Sequence, residues 1–238
     1  MPCSLADLFD GIPCQGLLPT HRQIVIDGIA CDSRQVEPNN VFVALQGHNT
    51  DGRLFIADAI ARGAVAIVSA VPSDPTAHRT VQNIPWIHVP DPRVPLPTLA
   101  QRAYGFPAKK LRLHAVTGTN GKTTTVYMLA AILAQAGHRV AFWTTNSVEG
   151  IAKPFRPSMT TPDAPQLHRF LREALDRGAQ DVIIEVSSHA LELGRIQGLC
   201  FETAAVTNIT PDHIDFHGSF EAYLHAKASL LRYLSSIP

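Results

Sequence analysis

Apolar positions in the second half of the chain follow two rhythms. Strand-length apolar runs, LRLHAVT at 111–117, RVAFWTT at 139–145, DVIIEVSS at 181–188 and AAVTNIT at 204–210, alternate with segments of helical period. The spacing predicts a helix over 122–136 stopped by Gly137, and a second within TPDAPQLHRFLREALDRG with Thr161 as N-cap, Pro162 at the first helical position and Gly178 past the end. A last helix is predicted over SFEAYLHAKASLLRYL, with Phe220, Tyr223, Leu224, Leu230, Leu231 and Leu234 forming its apolar stripe. Such alternation predicts a parallel sheet covered by helices on both faces.

The first half has shorter, β-rich runs, QIVIDGIACDS, VFVAL, AVAIV and WIHV, around one helix over Gly52–Arg62. Ile56, Ala59 and Ile60 share a face of that helix, and Gly63 is placed to end it. VPDPRVPLPTLA then carries four prolines in its first nine residues and reads as an extended joint, entering a helix at LPTLAQRAYG. The fold class is therefore α/β, with a small N-terminal α/β domain over 1–108 and a P-loop-type parallel-sheet domain over 109–238.

Composition narrows the function classes. Lys plus Arg and Asp plus Glu both total 20, so no net field points to nucleic acid or an acidic membrane surface. The longest apolar runs, such as GAVAIV and DVIIEV, are too short to insert across a bilayer. The start MPCSLADLFDG shows no basic segment followed by an apolar one, so no signal peptide is expected. Cys3, Cys14, Cys31 and Cys200 have no CxxC spacing and read as unpaired thiols of a cytoplasmic protein. A monomer is the default expectation.

Every unusual polar cluster of the second half, TGTNGKTTT, TTNS, EVSSHA and TNITPDHIDFH, falls at the carboxyl end of a predicted strand, where open parallel sheets bind ligands. In the first cluster, Gly118 and Gly121 would let backbone N–H groups face an anion at a helix N-terminus, with Lys122 reaching terminal phosphates and Thr123 a Mg²⁺ ion. The spacing departs from GxxxxGK[ST], because position 116 is valine, and a purely structural turn is the alternative. Glu185, ending the run VII, suits a divalent cation or simply points into water. His213, with Asp212, Asp215 and His217, is either structural or a metal-ligating cluster. Lys227 falls inside the apolar stripe of the last helix, either as a snorkelling stem or as a partly buried amine with a lowered pKa.

Together TGTNGKTTT, TTPD, EVSSHAL and NITPDHIDFHGSFEAYLHAKASLL, in this order, and DSRQVEPNNVFVALQGHNTDG upstream resemble the Mur ligase family, the ATP-dependent amide ligases of peptidoglycan precursor synthesis. The resemblance covers nearly the whole chain. It implies ATP bound by Gly118, Thr119, Asn120, Gly121, Lys122, Thr123 and Thr124, with Lys122, Glu185, His213 and Lys227 as the catalytic set. Thr123 and Glu185 would hold one Mg²⁺ ion, and His213 with a carbamylated Lys227 (N6-carboxylysine) a second. Ser33, His48, Asn49 and Thr50 would grip the uridine nucleotide, and Thr160, Thr161, Ser187 and Arg195 would line the path of the sugar-peptide. Family members carry Gln two residues before that arginine, whereas Leu193 stands here, which puts the peptide contacts at that point in doubt.

The implied substrates are UDP-N-acetylmuramoyl-L-alanyl-D-glutamate and an amino acid, meso-diaminopimelate or L-lysine, joined through an acyl phosphate. Family members also continue beyond LLRYLSSIP into more of the sheet and a third domain that binds the amino acid. Four strands of the central sheet with one open edge are therefore expected, and these 238 residues by themselves are expected to be inactive. Competing readings are another ligase of the superfamily (folylpolyglutamate synthase or a different Mur step), a non-catalytic nucleotide-binding module, and a generic P-loop ATPase that would leave the first half unexplained.

Overall fold

In the computed structural model, residues 3–47, 50–72 and 84–234 are described, and the chain divides into two units, Met1–Phe106 and Pro107–Pro238. The first unit opens with β1 (Cys3–Ser4) and α1 (Leu5–Phe9). A reciprocal cap sets that helix start, Ser4 Oγ accepting the Asp7 N–H while the Asp7 carboxylate accepts the Ser4 N–H. β2 (Val25–Ile26) pairs antiparallel with β1. A separate sheet of β3 (Gly28–Ala30), β4 (Asn40–Ala44), β5 (Ala64–Ser69) and β6 (Trp86–His88) is parallel throughout, in sequence order.

The helix expected over 52–62 is a 3₁₀ turn, Gly52–Phe55, followed by α2 (Ile56–Ala61). Ile56 and Ala59 are buried against Phe42 and Ile67, and Gly63 adopts φ +103° where an added Cβ would press on Pro38. The proline-rich stretch is not a joint between units. It turns within the first unit into α3 (Leu96–Ala103), and Arg102 of that helix donates to the Leu8 and Asp10 carbonyls. Proline fixes φ but leaves the carbonyl free, so a run of prolines suits a turn into a helix as well as a linker.

The second unit holds a five-stranded sheet in the order β11-β7-β10-β8-β9. β7 (Arg112–Thr117) leads through a turn to α4 (Lys122–Gln135), and β8 (Val140–Trp143) is followed by the short β9 (Val148–Glu149). Then come α5 (Ala164–Asp176), β10 (Asp181–Glu185), α6 (Ser188–Glu192), β11 (Thr203–Val206), α7 (Ile214–His217) and α8 (Phe220–Ala228). The four longer strands are parallel, as the apolar runs require, and β9 adds a fifth, antiparallel to β8, that the four-strand expectation missed. On the opposite edge β11 pairs, among the described strands, with β7 alone, and Thr203, Ala205 and Val206 are exposed.

Val182, Ile183 and Ile184 of β10 are fully buried, each side chain contributing about 1.5–3 kcal/mol. Leu113, Ala115, Leu167, Phe170 and Leu171 fill one face of the sheet, and Val116, Ile183, Val126 and Ala130 the other. Two helical expectations change. Asp163, not Thr161, caps α5 by accepting the Gln166 N–H, and the proline in its first turn is Pro165, because the Thr161 hydroxyl is engaged elsewhere. The last helix gives way at Ser229 to a 3₁₀ turn, Ser229–Tyr233, which changes the angular step and leaves Leu231 exposed; Leu224, on α8 itself, is exposed as well, while Tyr223, Ala226, Lys227 and Leu230 are buried. Nor is α4 amphipathic, since Met128 and Ile132 on its outer side are 62% and 65% exposed.

Candidate functional site at the carboxyl rim of the second sheet

The turn from β7 into α4 is built on two glycines in the left-handed region, Gly118 at φ +147° and Gly121 at +83°. A Cβ at Gly118 would overlap the Thr207 hydroxyl, so glycine is required there for close approach as well as conformation. Gly121 is the N-cap of a 14-residue helix and offers no side-chain cap, leaving the first N–H groups of α4 for an anion.

The loop after β11 braces this turn. Thr119 N donates to Asn208 O (2.9 Å), Asn120 N to Asn208 Oδ1 (3.0 Å), and Thr207 Oγ1 to Asn120 O (2.6 Å). The expected strand over 204–210 thus ends at Val206, its polar remainder being used to hold the neighbouring loop.

Two lysines meet at one carbonyl. Lys122 Nζ donates to Gly118 O and Thr119 O (both 2.9 Å), and Lys227 Nζ donates to Gly118 O (2.8 Å). Burial lowers the Lys122 pKa, with Glu185 and Asp212 opposing. Lys227 is 2% exposed, and burial, reinforced by the charge of Lys122 and opposed by Asp212, lowers its amine to about 8. Lys227 is therefore a buried amine and not a snorkelling stem.

Glu185 ends β10 beside β7, its Cα in register with Val116. Its side chain is fully buried. Oε2 accepts a hydrogen bond from Thr145 Oγ1 (2.9 Å), while Oε1 has no partner among the described residues. A carboxylate accepts only, so the Thr145 proton goes to Glu185, and the Thr160 hydroxyl, 3.0 Å away, donates to Thr145. An orphaned carboxylate oxygen with no access to water costs about 1–3 kcal/mol or more, a cost that a bound cation removes. The donor set here, carboxylate and hydroxyl oxygens, fits Mg²⁺.

Thr161, Ser187 and Arg195 converge next to it. Thr161 Oγ1 donates to Glu185 O (2.7 Å) and accepts the Ser187 N–H (2.9 Å), and Arg195 Nη1 donates to Thr161 O (3.0 Å). Ser187 caps α6 through the Ala190 N–H, and Leu193, at the end of that helix, is exposed. Thr123 is half-buried and Thr124 exposed on the first turn of α4.

His213 takes φ +50° at the start of α7 and packs its ring edge-on to His189 (4.8 Å between centroids), with Tyr223 at 6.4 Å. Its Nε2 lies 3.6 Å from Asp212 Oδ2. Among the described residues, no three His, Cys, Asp or Glu side chains converge as a metal-holding group, so Asp212, His213, Asp215 and His217 do not form one by themselves. Ser33 and Thr50 belong to the first unit. Ser33 is buried in the turn after β3, and Thr50 O accepts the Gly47 N–H beyond the end of β4. His48 and Asn49 lie outside the described residues.

Thr145, Thr207, Asn208 and Tyr223 also belong to this rim. The signal for the first three is their place in polar clusters immediately after apolar runs; Tyr223 carries none, since an aromatic in an apolar stripe reads as core.

An α/β protein whose interior parallel strand turns through paired glycines into an uncapped helix N-terminus, with a lysine and a buried carboxylate beside it, has the geometry of a phosphate-loop turn. The chain belongs to the Mur ligase family: residues 116–237 match the Mur ligase middle domain, and residues 25–104 the family model described as Mur ligase family, catalytic domain. Proteins named UDP-N-acetylmuramoyl-L-alanyl-D-glutamate--2,6-diaminopimelate ligase from Geobacter metallireducens and Xylella fastidiosa are 42% and 44% identical over 86% and 90% of the chain. A solved structure of a ligase with that name superposes over 99% of the chain with a TM-score of 0.76 and 31% identity. The chain spans 39%, 42% and 46% of the lengths of these three proteins. Among the described residues, no helix is long and apolar enough to cross a membrane.

Proposed function

We propose that the full-length protein joins 2,6-diaminopimelate to the D-glutamyl carboxylate of UDP-N-acetylmuramoyl-L-alanyl-D-glutamate at the expense of ATP. The observation that carries this reading is the meeting of Lys122 and Lys227 on the Gly118 carbonyl beside a buried, half-satisfied Glu185 carboxylate. The names of the 42% and 44% identical relatives supply the substrates.

The chemistry runs in two displacements. The substrate carboxylate oxygen attacks the γ-phosphorus of ATP, the bond to the β-phosphate oxygen breaks, and ADP leaves an acyl phosphate. The amine nitrogen of the amino acid then attacks the acyl carbon, phosphate departs, and the amine loses a proton. Lys122 exchanges its carbonyl partners for phosphate oxygens as charge develops on the transferred group. Arg195, Thr161 and Ser187 orient the entering carboxylate. Glu185 and Thr123 would hold Mg²⁺, whose chemistry is charge neutralisation on the phosphates.

Lys227 is carboxylated in this reading. Its neutral amine attacks the carbon of CO₂ and releases a proton, which turns a buried cation into an anionic oxygen donor next to the Gly118 carbonyl. Below about pH 8 the amine is a cation and unreactive; above it the amine is neutral. At a fixed CO₂ pressure, a ¹³C carbamate resonance from labelled CO₂ is expected to grow as pH rises through about 8 and to vanish in Lys227→Met. A resonance that survives in that variant refutes the assignment.

The function itself is tested by phosphate release from ATP with the full-length protein. Release is expected only when UDP-N-acetylmuramoyl-L-alanyl-D-glutamate and diaminopimelate are both present. Equal release with a folate and glutamate pair, or none with the proposed substrates, would defeat the reading.

A further inference from the structure

Tyr223 is among the largest fully buried side chains of the protein, and its hydroxyl reaches the phosphate loop from α8. Ser219 sets its position by capping α8 and accepting the Tyr223 N–H at its carbonyl. The phenol oxygen lies 2.8 Å from Thr119 Oγ1. Thr119 Oγ1 has two further partners, the Thr210 N–H at 3.0 Å, which can only donate, and the Thr210 carbonyl at 3.1 Å, which can only accept. The single Thr119 hydroxyl proton therefore belongs to Thr210 O, and the Tyr223 proton must point to Thr119.

The consequence reaches the chemistry. The Thr119 backbone carbonyl takes Lys122 Nζ, and the Thr119 N–H donates to Asn208 O, so the orientation of this one residue sets both the lysine and the brace from the β11 loop. The ring of Tyr223 also lies under Lys227 Nζ, 4.8 Å from the ring centroid, and edge-on to His217 at 5.4 Å. One side chain thus indexes the phosphate loop against the helix that carries Lys227.

We infer that Tyr223 is a positioning residue for nucleotide binding, holding the 118–122 turn in the conformation that receives the phosphates of ATP through its hydroxyl bond to Thr119. The inference rests on the nucleotide reading of the site given above. It assigns Tyr223 no contact with the reacting atoms. It also separates the two parts of the side chain, the hydroxyl serving the loop and the ring serving Lys227.

Tyr223→Phe keeps the ring and removes the proton donor. In the full-length protein it is expected to weaken ADP binding, measured calorimetrically, by about 5-fold, the worth of one buried hydrogen bond. The KM for ATP is expected to rise by a similar factor while the KM for the UDP-sugar peptide stays within about 2-fold. A core tyrosine with only a packing role would lower the unfolding midpoint without this split. Should Y223F unfold early, Thr119→Val decides the matter from the loop side: with the fold intact it is expected to weaken ADP binding by at least a similar factor, and an unchanged affinity overturns the inference. Wild-type protein that binds ADP with an unchanged affinity in Y223F overturns it alone. Wild-type protein that binds no adenine nucleotide overturns the reading of the site, and the inference with it.

Discussion

Lys122→Ala in the full-length protein is expected to lower the rate of substrate-dependent phosphate release by about 10³-fold, the upper range for removing one charged or hydrogen-bonding group aimed at a transition state. Lys122 is half-buried with its amine tethered to two loop carbonyls, so it is pre-positioned and has little solvent to shed when phosphate arrives. Glu185 and Asp212 offset the burial that would otherwise favour a neutral amine, and so help keep the lysine charged, as the proposed reaction requires. Lys122→Arg is expected to recover little, because a planar guanidinium cannot follow the curvature of the loop as a point charge does. Stopped-flow phosphate release and a melting curve check both. A loss under 10-fold in K122A, with the fold intact, would remove the lysine from the chemistry.

Asp181→Ala is expected to destabilise the second unit by about 3 kcal/mol, the lower range for breaking a buried ion pair. Asp181 begins β10 at the end of the sheet opposite the phosphate loop and is 1% exposed. Its two oxygens take Arg112 Nε and Nη2 (2.7 and 2.6 Å), His114 Nε2 (3.0 Å) and His138 Nδ1 (2.8 Å), and His114 Nδ1 accepts from Thr203 Oγ1 (2.8 Å). The cluster pins β7, β10, β11 and the entry to β8 at their amino ends, which aligns Gly118 and Glu185 at the other.

Burial pushes the Asp181 carboxyl up, but the hydrogen bonds from Arg112, His114 and His138 outweigh it and hold the group well below the usual carboxylate range. Its contribution is then fully present above the unfolded value of about 3.9 and is lost as pH falls through the lower folded one. The gap between wild type and D181A should accordingly be constant from neutral pH down to about 4 and close only in stronger acid. Urea unfolding in a Trp86→Phe background, where Trp143 of the second unit is the remaining tryptophan, measures it. A gap that closes between pH 7 and 5 would mean the histidines and not the aspartate carry the stability.

The glycine-lysine turn was legible because its signal is local. Gly118 and Gly121 occupy left-handed backbone and Lys122 opens a helix, all within a few residues. The parallel strands were legible for the same reason, since a strand buried on both faces must be apolar at successive positions, as Val182, Ile183 and Ile184 are. The oddity of Lys227 in an apolar stripe was visible too, and its burial follows. Where a polar side chain had several local options, local reasoning chose wrongly. Thr161 looks like a cap, but Glu185, 24 residues away, claims its hydroxyl, and Asp163 caps instead.

From order along the chain alone, this protein had its two-part α/β organisation, its parallel sheet and its glycine-lysine turn, because periodicity and φ preferences act between near neighbours. Tertiary structure alone decided which groups share a proton or a charge: Asp181 with Arg112 across 69 residues, Tyr223 with Thr119 across 104. Hydrogen bonds span about 3 Å and give no local pattern, so the pairs that align the sheet and set the loop emerge only when the strands are packed side by side.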